Sequence, residues 1–327
     1  MKKWLCILIF AILMGSWWFL EKVNQVKFEP LNISDKFVEI KPGQTFTQLC
    51  HQWQKNGALS HCLPYQLYSK LIPKLFALQS GVYALEGLTV LEAVAKVSRG
   101  EQHRFSFTII EGTPIWEVEK KLSDAHYLNQ DIDNLSSQLM LDYGSVEGWL
   151  YPDTYYYHGF DSALGLLKRA RDKMQAVLQH EWQNRASDLP LKTPYEALIL
   201  ASIIEKETGL HEERKKVASV FINRLKKGMR LQTDPTIIYG IGEGFDGDIK
   251  RKDIRQKTPY NTYRIDGLPP TPIAMPSEAS IHAALHPQKT DYLYFVATGN
   301  GGHYFSKTLA EHNKAVQNYI LNKQNSR

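Results

Sequence analysis

Two carboxylates close the segment Ala201-Ser202-Ile203-Ile204-Glu205-Lys206-Glu207-Thr208, after a stretch that is otherwise almost wholly apolar. Carboxyls in such a setting are candidates for general acid–base work at a glycosidic bond. They stand two residues apart, so on a helix they project roughly 200° apart and cannot share one task. Glu207 continues the stripe of Leu200, Ile203 and Ile204, whereas Glu205 stands above Leu198, Ala201 and Ser202. Apolar walls disfavour the charged form of a carboxyl, and the negative end of a helix dipole pushes the same way. A glycosidic general acid must arrive protonated, so both effects suit Glu207 to that role. The alternative is a surface pair at a fraying helix end, and spacing alone leaves both readings open.

The element that must position these groups runs from Thr193 to Gly209. Thr193 is the expected N-cap, Pro194 fits the first helical position, and Glu196 completes a capping box. Gly209 is the expected left-handed stop. The body from Ala197 to Ile204 is apolar all round, which predicts a helix buried on most sides. Amphipathic helices are also predicted over Leu164 to Trp182 and Glu212 to Lys227, and a last one over Leu309 to Leu321.

Polar loops follow the carboxylates. In Leu231-Gln232-Thr233-Asp234-Pro235-Thr236, Asp234 reads first as the N-cap of a short helix ending at Gly240. Gln232 and Thr233 precede it and are placed to face a ligand. Tyr260-Asn261-Thr262-Tyr263 and Gly267-Leu268-Pro269-Pro270 form a proline-stiffened loop. Its tyrosines suit stacking on pyranose faces, and its amide suits bonding to hydroxyls. A well-packed surface loop has much the same composition. Tyr292 to Val296 and His303 to Ser306 read as a hairpin. His211-Glu212-Glu213 lacks the second histidine of a metalloprotease helix. No Cys/His zinc spacing, P-loop or Ser-His-Asp signature stands out, so no metal and no cofactor is expected.

Composition narrows the class further. The chain has 327 residues, 43% hydrophobic and 22% charged, enough for two domains with real cores. The 39 basic and 34 acidic residues form no long basic block, so nucleic acid is not an expected partner. Residues 1–3 carry Lys2 and Lys3, and residues 4–20 are uncharged. That run nearly covers a bilayer core, with Trp17 and Trp18 near its far end. Bulky residues after Gly15-Ser16 argue against a cleaved signal peptide. The expectation is a single-pass transmembrane anchor with the rest of the chain extracytoplasmic. Residues 21–35 read as a tether, 36–102 as a small α+β module and 103–327 as a larger α+β domain. In the module, Phe46, Leu49, Cys50 and Trp53 mark a helix face, and Thr89 with Glu92 forms a capping box. Cys50 and Cys62 permit a disulfide in an exported segment, but suit a reduced, buried state equally well.

Taken together, these motifs resemble the endolytic murein transglycosylases of the MltG (YceG-like) family. The resemblance covers nearly the whole chain. It is carried by Glu147-Gly148-Trp149 with Pro152-Asp153-Thr154, by Ala201 to Thr208, and by Phe221-Ile222-Asn223-Arg224-Leu225. It continues through Leu231 to Thr236, Tyr260 to Tyr263, Gly267 to Pro270 and Gly302-His303-Tyr304-Phe305. It implies an inner-membrane anchor, a LysM-like module over residues 36–102 and a YceG-like catalytic domain with a lysozyme-like catalytic helix. It implies cleavage of MurNAc–GlcNAc bonds inside nascent peptidoglycan strands to leave 1,6-anhydroMurNAc ends, and so an end to strand elongation beside the synthases. It places the single catalytic glutamate at Glu207, followed by the hydroxyl residue Thr208. Two other readings stand beside it. One is a muramidase pairing Glu207 with Asp234 or Glu147; the other is a non-enzymatic glycan-binding scaffold.

Overall fold

The structure is a computed structural model. It describes residues 26–139, 144–299 and 301–325, with residues 10, 13–17, 21 and 24 before them. The expected anchor over residues 4–20 lies largely outside the described residues. Among the described residues, no helix is long and apolar enough to cross a membrane. The chain divides into two compact units. One comprises residues 1–106, 126–129 and 156–161, the other residues 107–125, 130–155 and 162–327.

In the first unit, β1 (Val38–Ile40) pairs antiparallel with β2 (Gly81–Tyr83), in the register Val38↔Tyr83 and Ile40↔Gly81. Helices α1 (Phe46–Lys55) and α2 (Leu63–Leu71) lie between them in sequence, and α3 (Val90–Ser98) follows. The face of α1 is the expected one: Phe46, Leu49, Cys50 and Trp53 are buried. Thr89 and Glu92 form both halves of their capping box, which satisfies two N–H groups that the first turn of α3 would otherwise leave free. Cys50 and Cys62 are joined as a disulfide with their Cα atoms 5.8 Å apart. The bridge ties α1 to the N-cap of α2, so the oxidised of the two readings holds. Two later segments complete this unit. The Tyr157 hydroxyl donates to the carbonyl of His126 at 3.0 Å, and the Tyr157 ring stacks on Phe105 at 5.4 Å.

The second unit is mainly helical. Its elements are β3 (Phe105–Thr108, shared with the first unit), α4 (Ile115–Ser123), α5 (Leu135–Gln138), β4 (Thr154–Tyr157, likewise shared), α6 (Ala163–Gln183) and α7 (Pro194–Glu207). They continue with α8 (Arg214–Lys226), α9 (Asp234–Ile241), α10 (Arg251–Arg255), α11 (Glu278–Leu285), β5 (Tyr294–Ala297), β6 (His303–Ser306) and α12 (Leu309–Asn325). β3 pairs with β4, and β5 with β6 in an antiparallel hairpin. The described chain is α+β, with short two-stranded sheets and a helical core.

Helix α7 runs through the middle of that core. It packs against α6, α8, α9 and α11. Every residue from Ala197 to Ile204 is buried, as an all-round apolar helix demands. Each buried Leu or Ile contributes about 1.5–3 kcal/mol, so the helix end is held by a stiff support. Its most extensive neighbour, α11, begins at the N-cap Ser277, whose hydroxyl accepts from the Ser280 N–H.

Two end signals of α7 work differently from expectation. Thr193 caps as predicted, accepting from the Glu196 N–H at 3.2 Å, but the Glu196 carboxylate reaches one residue further back, to the Lys192 N–H at 2.6 Å. At the other end Gly209 does not adopt a left-handed conformation. The helix stops because Thr208 turns extended, at φ −143° and ψ 129°, and its hydroxyl accepts the Leu210 N–H at 3.1 Å. A side-chain turn thus replaces the glycine stop.

Candidate active site

Glu205 and Glu207 leave the last turn of α7 in different directions, as their spacing requires. Glu205 is turned inward, its side chain 6% exposed. It accepts from the Ser277 N–H at 2.9 Å and from the Ser277 hydroxyl, and Arg214 stands 3.8 Å away. Those contacts fix the start of α11 against the end of α7. Buried and bonded in this way, Glu205 has the geometry of a structural anchor. Lys206 also ties the turn down, donating to the carbonyl of Gly112 at 3.1 Å.

Glu207 is half-buried, and its Oε1 accepts a hydrogen bond from the Thr233 hydroxyl. Burial pushes its pKa up to about 7. The Thr233 bond opposes that shift, the charge of Asp234 adds to it, and His303 and Arg224 oppose it. The net effect of these neighbours is a carboxyl that populates both protonation states near neutral pH. Such a group can give a proton and take one back within one turnover.

Each of these neighbours is positioned by its own local chemistry. Thr233 is 2% exposed and sits in a cluster of buried hydroxyls. Its N–H donates to Thr262 Oγ1 at 3.0 Å, its carbonyl accepts from Thr236 Oγ1 at 2.8 Å, and Thr236 and Thr262 lie 2.9 Å apart. Thr233, not Asp234, is the N-cap of α9; it makes no side-chain cap bond, and its hydroxyl donates to Glu207. Asp234 is therefore the first residue of α9, and its Oδ1 accepts from the Tyr263 hydroxyl at 2.7 Å. Burial and that bond keep Tyr263 protonated, so it stays a donor.

Gln232 is one of the non-glycine residues with a left-handed backbone, at φ 51°. A buried arginine holds it there. Arg224 donates to the carbonyls of Leu231 at 2.8 Å, Arg230 at 3.1 Å and Leu293 at 2.7 Å, and to Gln232 Oε1 at 3.3 Å. On the remaining side, His303 is locked to Glu213 by its N–H at 2.9 Å and by Nδ1 at 2.7 Å.

The tyrosine loop divides its duties. Tyr263 reaches the Glu207 surroundings through Asp234. Tyr260 instead bonds Thr271 at 2.9 Å and packs edge-on against Tyr239 at 4.8 Å, while Tyr239 meets Trp116 at 5.1 Å. Asn261, expected to bond sugar hydroxyls, is 1% exposed and wholly occupied. Its amide N–H groups serve the carbonyls of Asp253, Ile254 and Gln256, and its oxygen accepts from the Tyr263 N–H at 3.1 Å. It shapes the loop that presents Tyr263 and has no free group for a ligand. Gln232 is exposed.

Glu147 is fully buried, and burial pushes its pKa up to about 7. Its Oε2 accepts from the Ile115 N–H at 3.0 Å, so it caps the start of α4, and Tyr239 lies on its other side. The adjacent Gly148 sits at φ 80°, and a Cβ there would come within 2.5 Å of Pro272. The glycine is thus needed for a close approach that lets Glu147 turn inward.

Sequence reasoning gave no role to Arg224, Glu213 or Ser277 in this region. Arg224 lies on α8 and Glu213 is its N-cap, and their partners Leu293 and His303 are distant in sequence. Ser277, followed by Glu278 after Pro276, carried a readable helix-start signal for α11.

The chain matches the model of the YceG-like family over residues 38–318. The chain belongs to that family. This YceG-like protein is 33% identical over 314 residues to the endolytic murein transglycosylase of Bacillus subtilis (strain 168), covering 88% of this chain and 85% of that one. It is 26% identical over 329 residues to the endolytic murein transglycosylase of Streptococcus pneumoniae serotype 2, where the match spans 88% of this chain and 59% of the longer relative. Among solved structures it is similar to a yceG-like protein from Listeria monocytogenes. There the identity is 31%, the TM-score 0.56, and the coverage 85% of this chain and 97% of the other.

Proposed function

We propose that this YceG-like protein is an endolytic peptidoglycan lytic transglycosylase with Glu207 as its acid and base. The observation that carries the reading is the Glu207 carboxyl itself. It ends a rigid buried helix, has a pKa raised to about 7, and stands among Thr233, Asp234 and Tyr263 in a chain whose relatives bear that activity in their names.

The chemistry follows from one carboxyl. Protonated Glu207 donates to the bridging oxygen of a MurNAc–GlcNAc bond, and the muramyl C1–O bond breaks. The resulting carboxylate takes the proton from the muramyl C6 hydroxyl as that oxygen closes on C1. The products are a GlcNAc 4-hydroxyl and a 1,6-anhydroMurNAc end, with no water consumed. Intramolecular attack gains from proximity, so no second carboxylate is required to activate a nucleophile. The Thr233 hydroxyl steadies Glu207 while it is ionised, and the charge of Asp234 favours its return to the acid form. Gln232, Tyr260 and Tyr263 are the groups proposed to meet the glycan, and no cofactor enters the reaction.

The same reading sets the protein at the membrane. Residues 4–20 serve as a single-pass anchor with the catalytic unit extracytoplasmic. The Cys50–Cys62 bridge supports an oxidising compartment. The β1–α1–α2–β2 order of the first unit supports a LysM-like glycan-holding module. Cutting nascent strands there would release them from the synthases that make them.

The test is mass spectrometry of glycan strands digested by the purified protein. Internal cleavage with 1,6-anhydroMurNAc ends, lost in Glu207→Gln, is the expected result. Reducing muramic acid ends would instead identify a hydrolase. Unchanged cleavage by Glu207→Gln would remove Glu207 from the chemistry.

A further inference from the structure

A second cluster of titratable side chains lies outside the groups around Glu207. Glu181, near the end of α6, is 9% exposed, which is rare for a glutamate without strong partners. Its partners are two imidazoles. His282 Nδ1 stands 2.9 Å from Glu181 Oε2, and His286 Nε2 stands 3.5 Å from the same oxygen. His282 stands in the last turn of α11 and His286 is its C-cap, and their rings lie side by side at 4.4 Å. One ligand atom from each of the three residues falls within 4.8 Å of the others.

We propose that Glu181, His282 and His286 form a binding site for one divalent transition-metal ion of the zinc class.

Two imidazoles and a carboxylate are a recurrent three-ligand set for zinc, with a further position left for water or an outside ligand. Zinc–ligand bonds of about 2.0–2.2 Å in a tetrahedron hold the ligand atoms roughly 3.4 Å apart. The two separations from Glu181, 2.9 and 3.5 Å, bracket that value, and the two imidazole nitrogens lie within 4.8 Å of each other. Imidazole nitrogen excludes magnesium and calcium as the preferred guests, because both favour oxygen. The imidazoles must be neutral to ligate. Beside the cluster lies an open cavity of about 660 Å³, lined by Glu181 and His282 together with Glu212, Glu278 and Lys215. It gives an ion an entry path and room for its outer ligand. The alternative is a metal-free hydrogen-bonded cluster that merely satisfies Glu181. The third ligand lies about a hundred residues before the His282–His286 pair, which is why no local zinc spacing reveals the site.

Binding at this place would tie α6 to α11, the helix whose N-cap is held by Glu205. The full chain, carrying no affinity tag and stripped with chelator, is titrated with Zn²⁺ by calorimetry and followed by thermal unfolding. The expected result is one zinc per chain with micromolar or tighter affinity, a zinc-dependent rise in Tm, and no rise with Mg²⁺. His282→Ala and His286→Ala, at partly exposed positions, are each expected to weaken binding at least tenfold and to abolish the Tm rise. No stoichiometric binding would overturn the proposal. So would one zinc bound equally well by both variants, which would assign it to other histidines. A wild-type Tm that zinc does not move, with variants that are less stable by the same amount with and without zinc, would leave only the hydrogen-bonded cluster and overturn it as well.

Discussion

The Thr233 hydroxyl donates to Glu207 Oε1, joining the N-cap of α9 to the last residue of α7. This bond stabilises the carboxylate and is the largest influence opposing the burial of Glu207. Thr233→Val keeps the shape and removes the donor. A hydrogen bond to a charged group contributes about 1.5–3 kcal/mol, and each pKa unit corresponds to about 1.4 kcal/mol. The pKa governing Glu207 is therefore expected to rise by about one unit. The alkaline limb of kcat/KM for anhydro-end formation should move up by the same amount, and kcat should fall by up to about tenfold because a weaker acid protonates the leaving oxygen less readily. A downward movement of that limb would contradict the role given to Thr233.

The raised pKa of Glu207 also has a sign in stability. The ordinary value of 4.5 becomes about 7 in the folded protein. Between those values the folded state holds a proton that the unfolded state has lost. Stability contributed by Glu207 is thus fully present below pH 4.5, falls as pH rises towards 7, and is level above that. The shift corresponds to about 3 kcal/mol at most. Glu207→Gln lacks the titration. Denaturant unfolding of both proteins from pH 4 to pH 8 should show the variant gaining on wild type by up to that amount as pH rises. Glu147 titrates in both proteins, so it cancels in the difference. A difference that stays flat with pH would mean that Glu207 has an ordinary pKa.

Glu205 should separate cleanly from its neighbour. Glu205→Ala removes the acceptor of the Ser277 N–H and hydroxyl and leaves Arg214 without its carboxylate. The expected loss is about 2–3 kcal/mol of stability from buried groups left unpaired. Turnover per folded molecule, measured well below the melting range, should stay within a few-fold of wild type. A thousandfold loss of turnover in a folded Glu205→Ala protein would show that the wrong glutamate has been given the chemistry.

The readable parts of the sequence were those with local causes. The capping box at Thr89, the N-cap at Thr193, the apolar body of α7 and the face of α1 all depend on residues within a few positions of each other, and the structure contains each of them, although Glu196 does not close the box expected at Thr193. The opposed directions of Glu205 and Glu207 follow from helix geometry in the same way. What could not be read depends on partners far along the chain. Asn261 looked like a sugar-binding amide until its carbonyl partners at residues 253, 254 and 256 occupied it. Asp234 looked like an N-cap because nothing local shows that Thr233 would take that place. Tyr260 and Tyr263 look alike in sequence, yet their hydroxyls meet Thr271 and Asp234 respectively. Helix α11 carries a legible Ser277-Glu278 start, but it is short and follows a proline-rich loop, so its periodicity is too brief to read.

Gln232 offers a way to separate strain from recognition. Its left-handed backbone, at φ 51°, costs about 1–3 kcal/mol for a residue with a Cβ. Arg224 supplies the bonds that hold it there. Gln232→Gly removes the strain, while the freer unfolded chain offsets about 0.4–1 kcal/mol of that gain. Gln232→Ala keeps the strain and removes the same side-chain amide. Both variants lose the side-chain bond to Arg224, so the strain relief less the entropy offset should leave the glycine variant up to about 2.5 kcal/mol more stable than the alanine one. If the exposed amide meets the glycan, both variants should raise KM by a similar factor of about three to ten, as expected for one lost hydrogen bond. Paired denaturation curves and steady-state kinetics measure the two effects separately. A normal KM in both variants would confine Gln232 to shaping the loop that carries Thr233.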